Sequence, residues 1–195
     1  MLRAAKEWID RDIKSIGEAS SKQFLKDAEN GYIIGLKALL PIMTNLDPVD
    51  GDHNTPFLLA AAYGHASATE LLLNYTSTRC RPIDVQHRNR DGNTALHLAC
   101  IGRHTSVVKL LLKYRQVIED VNAVNKEGNT ALHCAAIVGH KSAIDLLART
   151  PGINFKIVNK KYKTPRHMAK LNGNKTISED LHKFASADGP SCKIM

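Results

Sequence analysis

One frame recurs four times along this chain, and it limits the possible folds more than any other feature. HNTPFLLAAAYGHASATELLL from His53, GNTALHLACIGRHTSVVKLLL from Gly92, GNTALHCAAIVGHKSAIDLLA from Gly128 and YKTPRHMAKLNGNKTISEDLH from Tyr162 align without gaps. Their threonines, Thr55, Thr94, Thr130 and Thr164, lie 39, 36 and 34 residues apart. A fainter copy, FLKDAENGYIIGLKALL, begins at Phe24, 33 residues ahead of Phe57. Such a period marks a stack of units, each burying its apolar face only against its neighbours.

Each part of the frame has a local cause. Thr55 reads as a helix N-cap, and Pro56 then takes the first helical position, where a missing N–H costs nothing. Gly64, Gly139 and Gly173 come where a left-handed residue can end that helix and turn the chain back. A second helix follows, with Leu71, Leu72, Val107, Leu111, Ile144 and Leu147 spaced to bury one face. Between units, VQHRNRDGN and AVNKEGN carry turn chemistry suited to a projecting hairpin.

These residues resemble the ankyrin repeat, whose pattern is T-P-L-H-x-A-A, then G-H, two helices and a hairpin. TALHLAC and TALHCAA match closely, and TPFLLAA with its GH matches well. The resemblance implies an all-α ankyrin-repeat solenoid of about five helix-turn-helix units with short hairpin loops. The expected division is an N-terminal capping helix over 1–18, the repeat domain over 19–184 and a flexible C-terminal tail over 185–195. Trp8, Ile9, Ile13 and Ile16 would line one side of the capping helix and cover the apolar edge at the start of the stack, with a membrane-binding helix as the alternative for the same residues. Two departures stand out. Arg103 occupies the glycine place with Gly102 one position early, so that helix end is either shifted or strained. Arg166 replaces the core leucine of T-P-L-H, as suits a terminal unit with a polar outer face. The spacings above about 33 place extra residues around Tyr75 to Pro82 and Tyr114 to Asp120.

The frame also absorbs residues that would otherwise suggest chemistry. His97, His133 and His167 hold the T-P-L-H position, and His65, His104 and His140 hold the G-H position. Ligands one unit apart would be separated by a stacking layer of about 10 Å, too far for bonds near 2 Å to one ion, so no metal site is expected. Cys100 and Cys134 fall at or beside small buried positions of the first helix. No phosphate loop, nucleophile elbow or HExxH is present, so no catalytic residues and no enzyme activity are expected. The four cysteines are far apart, and the N-terminus lacks the apolar run of a secretory signal. That combination points to a reducing cytosol.

The resemblance implies a concave surface for an unidentified protein partner, and a monomer. Its members at the hairpin tips and the exposed sides of the first helices are Asp52, Asn54 and Tyr63; Arg90, Asp91, Asn93 and Ile101; Lys126, Glu127, Asn129, Ile137 and Val138; and Lys160, Lys161 and Lys163. Ile137 and Val138, with Ile101 and Tyr63, would either form its apolar anchor or merely pack under the hairpins.

Charge is segregated. The net formal charge is +8. From Pro151 to Ser178 there are seven cations, Lys156, Lys160, Lys161, Lys163, Arg166, Lys170 and Lys175, and no Asp or Glu. The sequence ends GPSCKIM, in which Cys192, Lys193, Ile194 and Met195 fit the C-a-a-X pattern for farnesylation. One lipid chain binds a membrane marginally, and a basic patch is the kind of second signal that completes the attachment. The expectation is a non-catalytic binding module, peripheral on a cytosolic membrane face of a eukaryotic cell. A covalent farnesyl group is its one expected adduct, and no cofactor is expected. An anionic membrane, a prenyl transferase and a prenyl-binding carrier are its expected partners. Nucleic acid ranks behind the membrane, because only Tyr162 and Phe155 could stack on bases. Ankyrin repeats joined to such a tail resemble secreted effectors of intracellular bacteria, which borrow the host's lipidation machinery. A soluble, unlipidated adaptor is the rival reading.

Overall fold

The computed structural model of the protein describes residues 17–75 and 81–186. Among them the chain is helical, and the helices come in five pairs. α1 covers 17–29 as far as it is described, and α2 is Ile33–Leu39. Then come α3 (Pro56–Ala62) with α4 (Ala66–Asn74), and α5 (Ala95–Ile101) with α6 (Thr105–Leu111). A short α7 (Arg115–Glu119) precedes α8 (Ala131–Val138) with α9 (Lys141–Ala148) and α10 (Pro165–Leu171) with α11 (Lys175–Ser186). The all-α solenoid expected from the repeats is what forms.

The threonines start the first helices as their chemistry requires. Thr55 is extended (φ −80°, ψ 165°), accepts the Leu58 amide at 3.3 Å and is followed by Pro56 at the first helical position. At Thr130 and Thr164 the hydroxyl accepts the amide of the histidine three residues on, and that ring accepts the cap residue's own amide. Two orphan donors are thus satisfied at each helix start.

At the other end of α8, Gly139 is left-handed (φ 71°) and its helix stops there. The second full unit does this differently. Gly102 stays right-handed (φ −72°), and Arg103 takes the left-handed conformation (φ 60°). Of the two alternatives the sequence leaves open, the chain adopts strain, at about 1 kcal/mol. The reason lies at Gly102, where an added Cβ would stand 2.9 Å from the Ala62 carbonyl oxygen. Glycine is needed there for close approach, and the arginine must take the turn. Its guanidinium then donates to the Val138 carbonyl of the following unit.

First helices stack on first helices, α3 on α5, α5 on α8 and α8 on α10, while α4, α6, α9 and α11 form a second layer. Between the layers lie the fully buried side chains Phe24, Phe57, Leu72, Leu111, Leu132, Ile144 and Leu147. Of the predicted second-helix core, Leu71 is half-buried and the other five are buried. The residues added around Tyr114 to Asp120 form α7, with Val117 turned into the core. Helix is present at both limits of the described residues, 17 and 186. Residues 1–16, and with them Trp8, Ile9, Ile13 and Ile16, lie outside the described residues.

Candidate functional site

The surface expected to meet a partner is built on hairpin tips, and asparagine builds the tips. In the second full unit Asn89 donates its amide to the Asn93 carbonyl, while its own Oδ1 accepts the Asp91 and Asn93 amides at 3.1 and 2.9 Å. Asn125 does the same for Glu127 and Asn129, Asn159 for Lys161 and Lys163, and Asp50 for Asp52 and Asn54. The tips are then joined to one another. The Arg90, Lys126 and Lys160 amides donate to the Asp52, Asp91 and Glu127 carbonyls of the preceding tip at 2.8 to 3.0 Å. Beside this backbone ladder runs one of side chains. Asn89, Asn125 and Asn159 each donate Nδ2 to Oδ1 of Asn54, Asn93 and Asn129, at 2.9 to 3.0 Å.

That ladder sorts the expected partner-binding residues. Asn54 and Asn129 are half-buried and Asn93 is buried, so these three hold neighbouring tips in register. Asp52, Arg90, Asp91, Lys126 and Glu127 are exposed at the tips. Arg90 and Asp52 pair loosely across them at 3.6 Å.

The apolar part of the face differs in detail from expectation. Tyr63 is 52% exposed and Ile101 43%, but Ile137 and Val138 are half-buried beneath the next unit. Arg103 and Asn174 reach their carbonyls. Leu171, 68% exposed, continues the row and was not picked from sequence. The signal was present, because Ile101, Ile137 and Leu171 each lie seven residues after the threonine of their unit. Glu29 was also missed; its carboxylate lies on the Tyr63 phenol's side of the face and holds that phenol above its usual pKa.

Of the six histidines that could have suggested metal, all but His167 are spent as ties between units. His97 and His133 reach forward to the Asn129 and Lys163 carbonyls at 2.9 and 3.0 Å. His65 and His104 reach back to the Glu29 and Ala62 carbonyls, and Asn174 does so for Ala136 and Ile137. His140 meets the Cys100 carbonyl and the Thr105 hydroxyl. Burial lowers the pKa of His97 to about 4 and lowers those of His133 and His140 as well. It pushes the Cys134 thiol up to about 12 and Cys100 well above its ordinary value, leaving both as inert core groups. No group of three or more metal-ligating side chains occurs among the described residues.

All seven cations of the last unit are exposed: Lys156 in the loop, Lys160, Lys161 and Lys163 at the tip, Arg166 and Lys170 one turn apart on α10, and Lys175 at the start of α11. Among the described residues none of them forms an ion pair, although Lys141 and Lys183 nearby both meet Asp180. No described helix is long and apolar enough to cross a membrane. Cys192, Lys193, Ile194 and Met195 lie outside the described residues.

A family model described as ankyrin repeats, in three copies, matches residues 25–122 and 78–159, well over half of the chain. Similar curated proteins include cortactin-binding protein 2 of Ornithorhynchus anatinus, 33% identical over 84 residues. That match covers 43% of this chain and 5% of the relative. The probable E3 ubiquitin-protein ligase XBOS33 of Oryza sativa subsp. japonica is 34% identical over 99 residues, covering 50% of this chain and 18% of that protein. The chain spans less than a fifth of either relative's length. With the capped helix pairs, the tip ladder and the family match together, this chain belongs to the ankyrin repeat family, whose members bind protein partners and are generally non-catalytic.

Proposed function

We propose that this chain is a non-catalytic docking module held at the cytosolic face of a membrane by a farnesyl group on Cys192 and by the basic last repeat. A protein partner occupies the tips and the row Tyr63, Ile101 and Leu171. The observation that carries the membrane half is the set of seven exposed cations, without a carboxylate partner among the described residues, in the unit that leads into the tail. Lipidation would be an alkyl transfer. The Cys192 thiolate attacks C1 of farnesyl diphosphate, a thioether forms, and inorganic diphosphate leaves. A prenyl transferase and a prenyl-binding carrier follow from that chemistry. Action inside a host cell follows if the protein comes from a bacterium, which lacks such transferases.

Energetically each signal binds weakly and reversibly alone, and stable attachment in a cell takes both. A single lipid chain attaches marginally, while three or four cations near an anionic leaflet add about 1 kcal/mol each. The deciding measurement is intact mass after expression in eukaryotic cells, paired with fractionation. A mass raised by a farnesyl group, and a shift of C192S from membrane to soluble fraction, are expected. An unmodified mass with an unchanged distribution leaves a soluble adaptor.

A further inference from the structure

We propose that the last hairpin tip is a membrane-seating device in its own right: Tyr162, framed by Lys160, Lys161 and Lys163, projects from the open end of the stack into the headgroup layer of an anionic bilayer. This rests on the membrane reading above for the kind of surface met, and it adds which residues enter that surface.

The four tips share one left-handed position, filled by His53 (φ 61°), Gly92 (φ 77°), Gly128 (φ 76°) and Tyr162 (φ 56°). A Cβ added at Gly92 would lie 3.0 Å from the Lys126 amide nitrogen, and one at Gly128 would lie 2.8 Å from that of Lys160. At this position a side chain therefore points along the stack towards the following unit. Of the three tips with a unit after them, only that of His53 carries a side chain there, and that residue is exposed. After Tyr162 no further unit follows among the described residues, so its ring leaves the end of the solenoid. It is 85% exposed, more than any other large hydrophobic described. Tyrosine in this conformation is strained where glycine would not be, which is the kind of local cost that function retains.

A second substitution occurs at the same tip. Asn54, Asn93 and Asn129 each offer Oδ1 to the next tip's asparagine, and the corresponding place in the last tip is Lys163. Lysine has no acceptor, so the ladder stops and a cation takes the place of a rung. Meanwhile Asn159 Oδ1 accepts the Lys161 and Lys163 amides, and Glu127 accepts that of Lys160, so the tip backbone is fixed while its ammonium groups face out. Two changes thus turn a stacking surface into an amphipathic point.

An aromatic ring with a polar end, ringed by lysines, suits the headgroup level of a bilayer. Single-stranded nucleic acid asks for successive stacking rings, but Phe155 is occupied by Phe184 at 6.2 Å between centroids, leaving Tyr162 alone. The tail follows this unit in the sequence. Cys192 lies six residues past Ser186, a reach of at most about 20 Å from α11.

The test uses the full chain as C192S made in bacteria, so that no lipid contributes. Co-sedimentation with phosphatidylserine-containing vesicles, and not with phosphatidylcholine vesicles alone, is expected. The triple variant K160Q/K161Q/K163Q should lose about fivefold per charge removed. The variant Y162G should bind about fivefold more weakly, on the order of one buried aromatic contact, while its thermal midpoint rises as the left-handed strain is relieved. Vesicle binding of Y162G equal to that of C192S, no binding of C192S to anionic vesicles, or tighter binding to a single-stranded oligonucleotide would each overturn the proposal. Failure of lipidation shows separately, as an unmodified mass in eukaryotic cells with vesicle binding intact.

Discussion

His97 carries a proton badly. Its ring is 1% exposed, and burial lowers its pKa to about 4, against about 6.5 in an unfolded chain. The neutral ring is the form that fits, so its contribution is complete above about pH 6.5 and is lost as pH falls towards 4. Integrated over that interval the loss is roughly 3 kcal/mol. His133 and His140 are shifted in the same direction and steepen the trend. Urea titrations at pH 7.0, 5.5 and 4.5 should therefore show a falling midpoint, and H97Q should be less stable at pH 7.0 with a shallower pH slope. From sequence the histidine's place at the helix start was evident; its burial was not, because the covering carbonyl belongs to Asn129, thirty-two residues away.

Helices α3, α5, α8 and α10 could be placed from their threonines, since a cap and the turn it starts lie within a few residues of each other. The tips were only half legible. Turn residues marked them, but the division of their asparagines into register-holders and exposed neighbours depends on which side chain the next unit presents. The ladder makes a quantitative demand at this scale. N125A removes an oxygen that accepts two backbone amides, together with the tie to Asn93, and should cost about 2 kcal/mol in chemical denaturation. R90A, which breaks only the exposed pair with Asp52, should cost about 0.5 kcal/mol or less. Helix α7 escaped sequence reading because added residues break the frame that makes the others visible. Leu171 escaped because its unit departs from the T-P-L-H pattern.

At the scale of the molecule, units touch only their neighbours along the row, so stability is highest where a unit has two of them. Amide exchange followed by mass spectrometry should be slowest in α5 and α8 and fastest in α2 and α11. Uniform protection along the chain would contradict this. The histidine ties also run in both directions along the chain, and that has a consequence for its birth on the ribosome. Backward ties, from His104 to the Ala62 carbonyl, close as soon as their own residues emerge, whereas the forward tie of His97 waits for Asn129 to be translated. The nascent protein therefore carries a leading edge one unit long that stays chemically incomplete until the next thirty or so codons have been read.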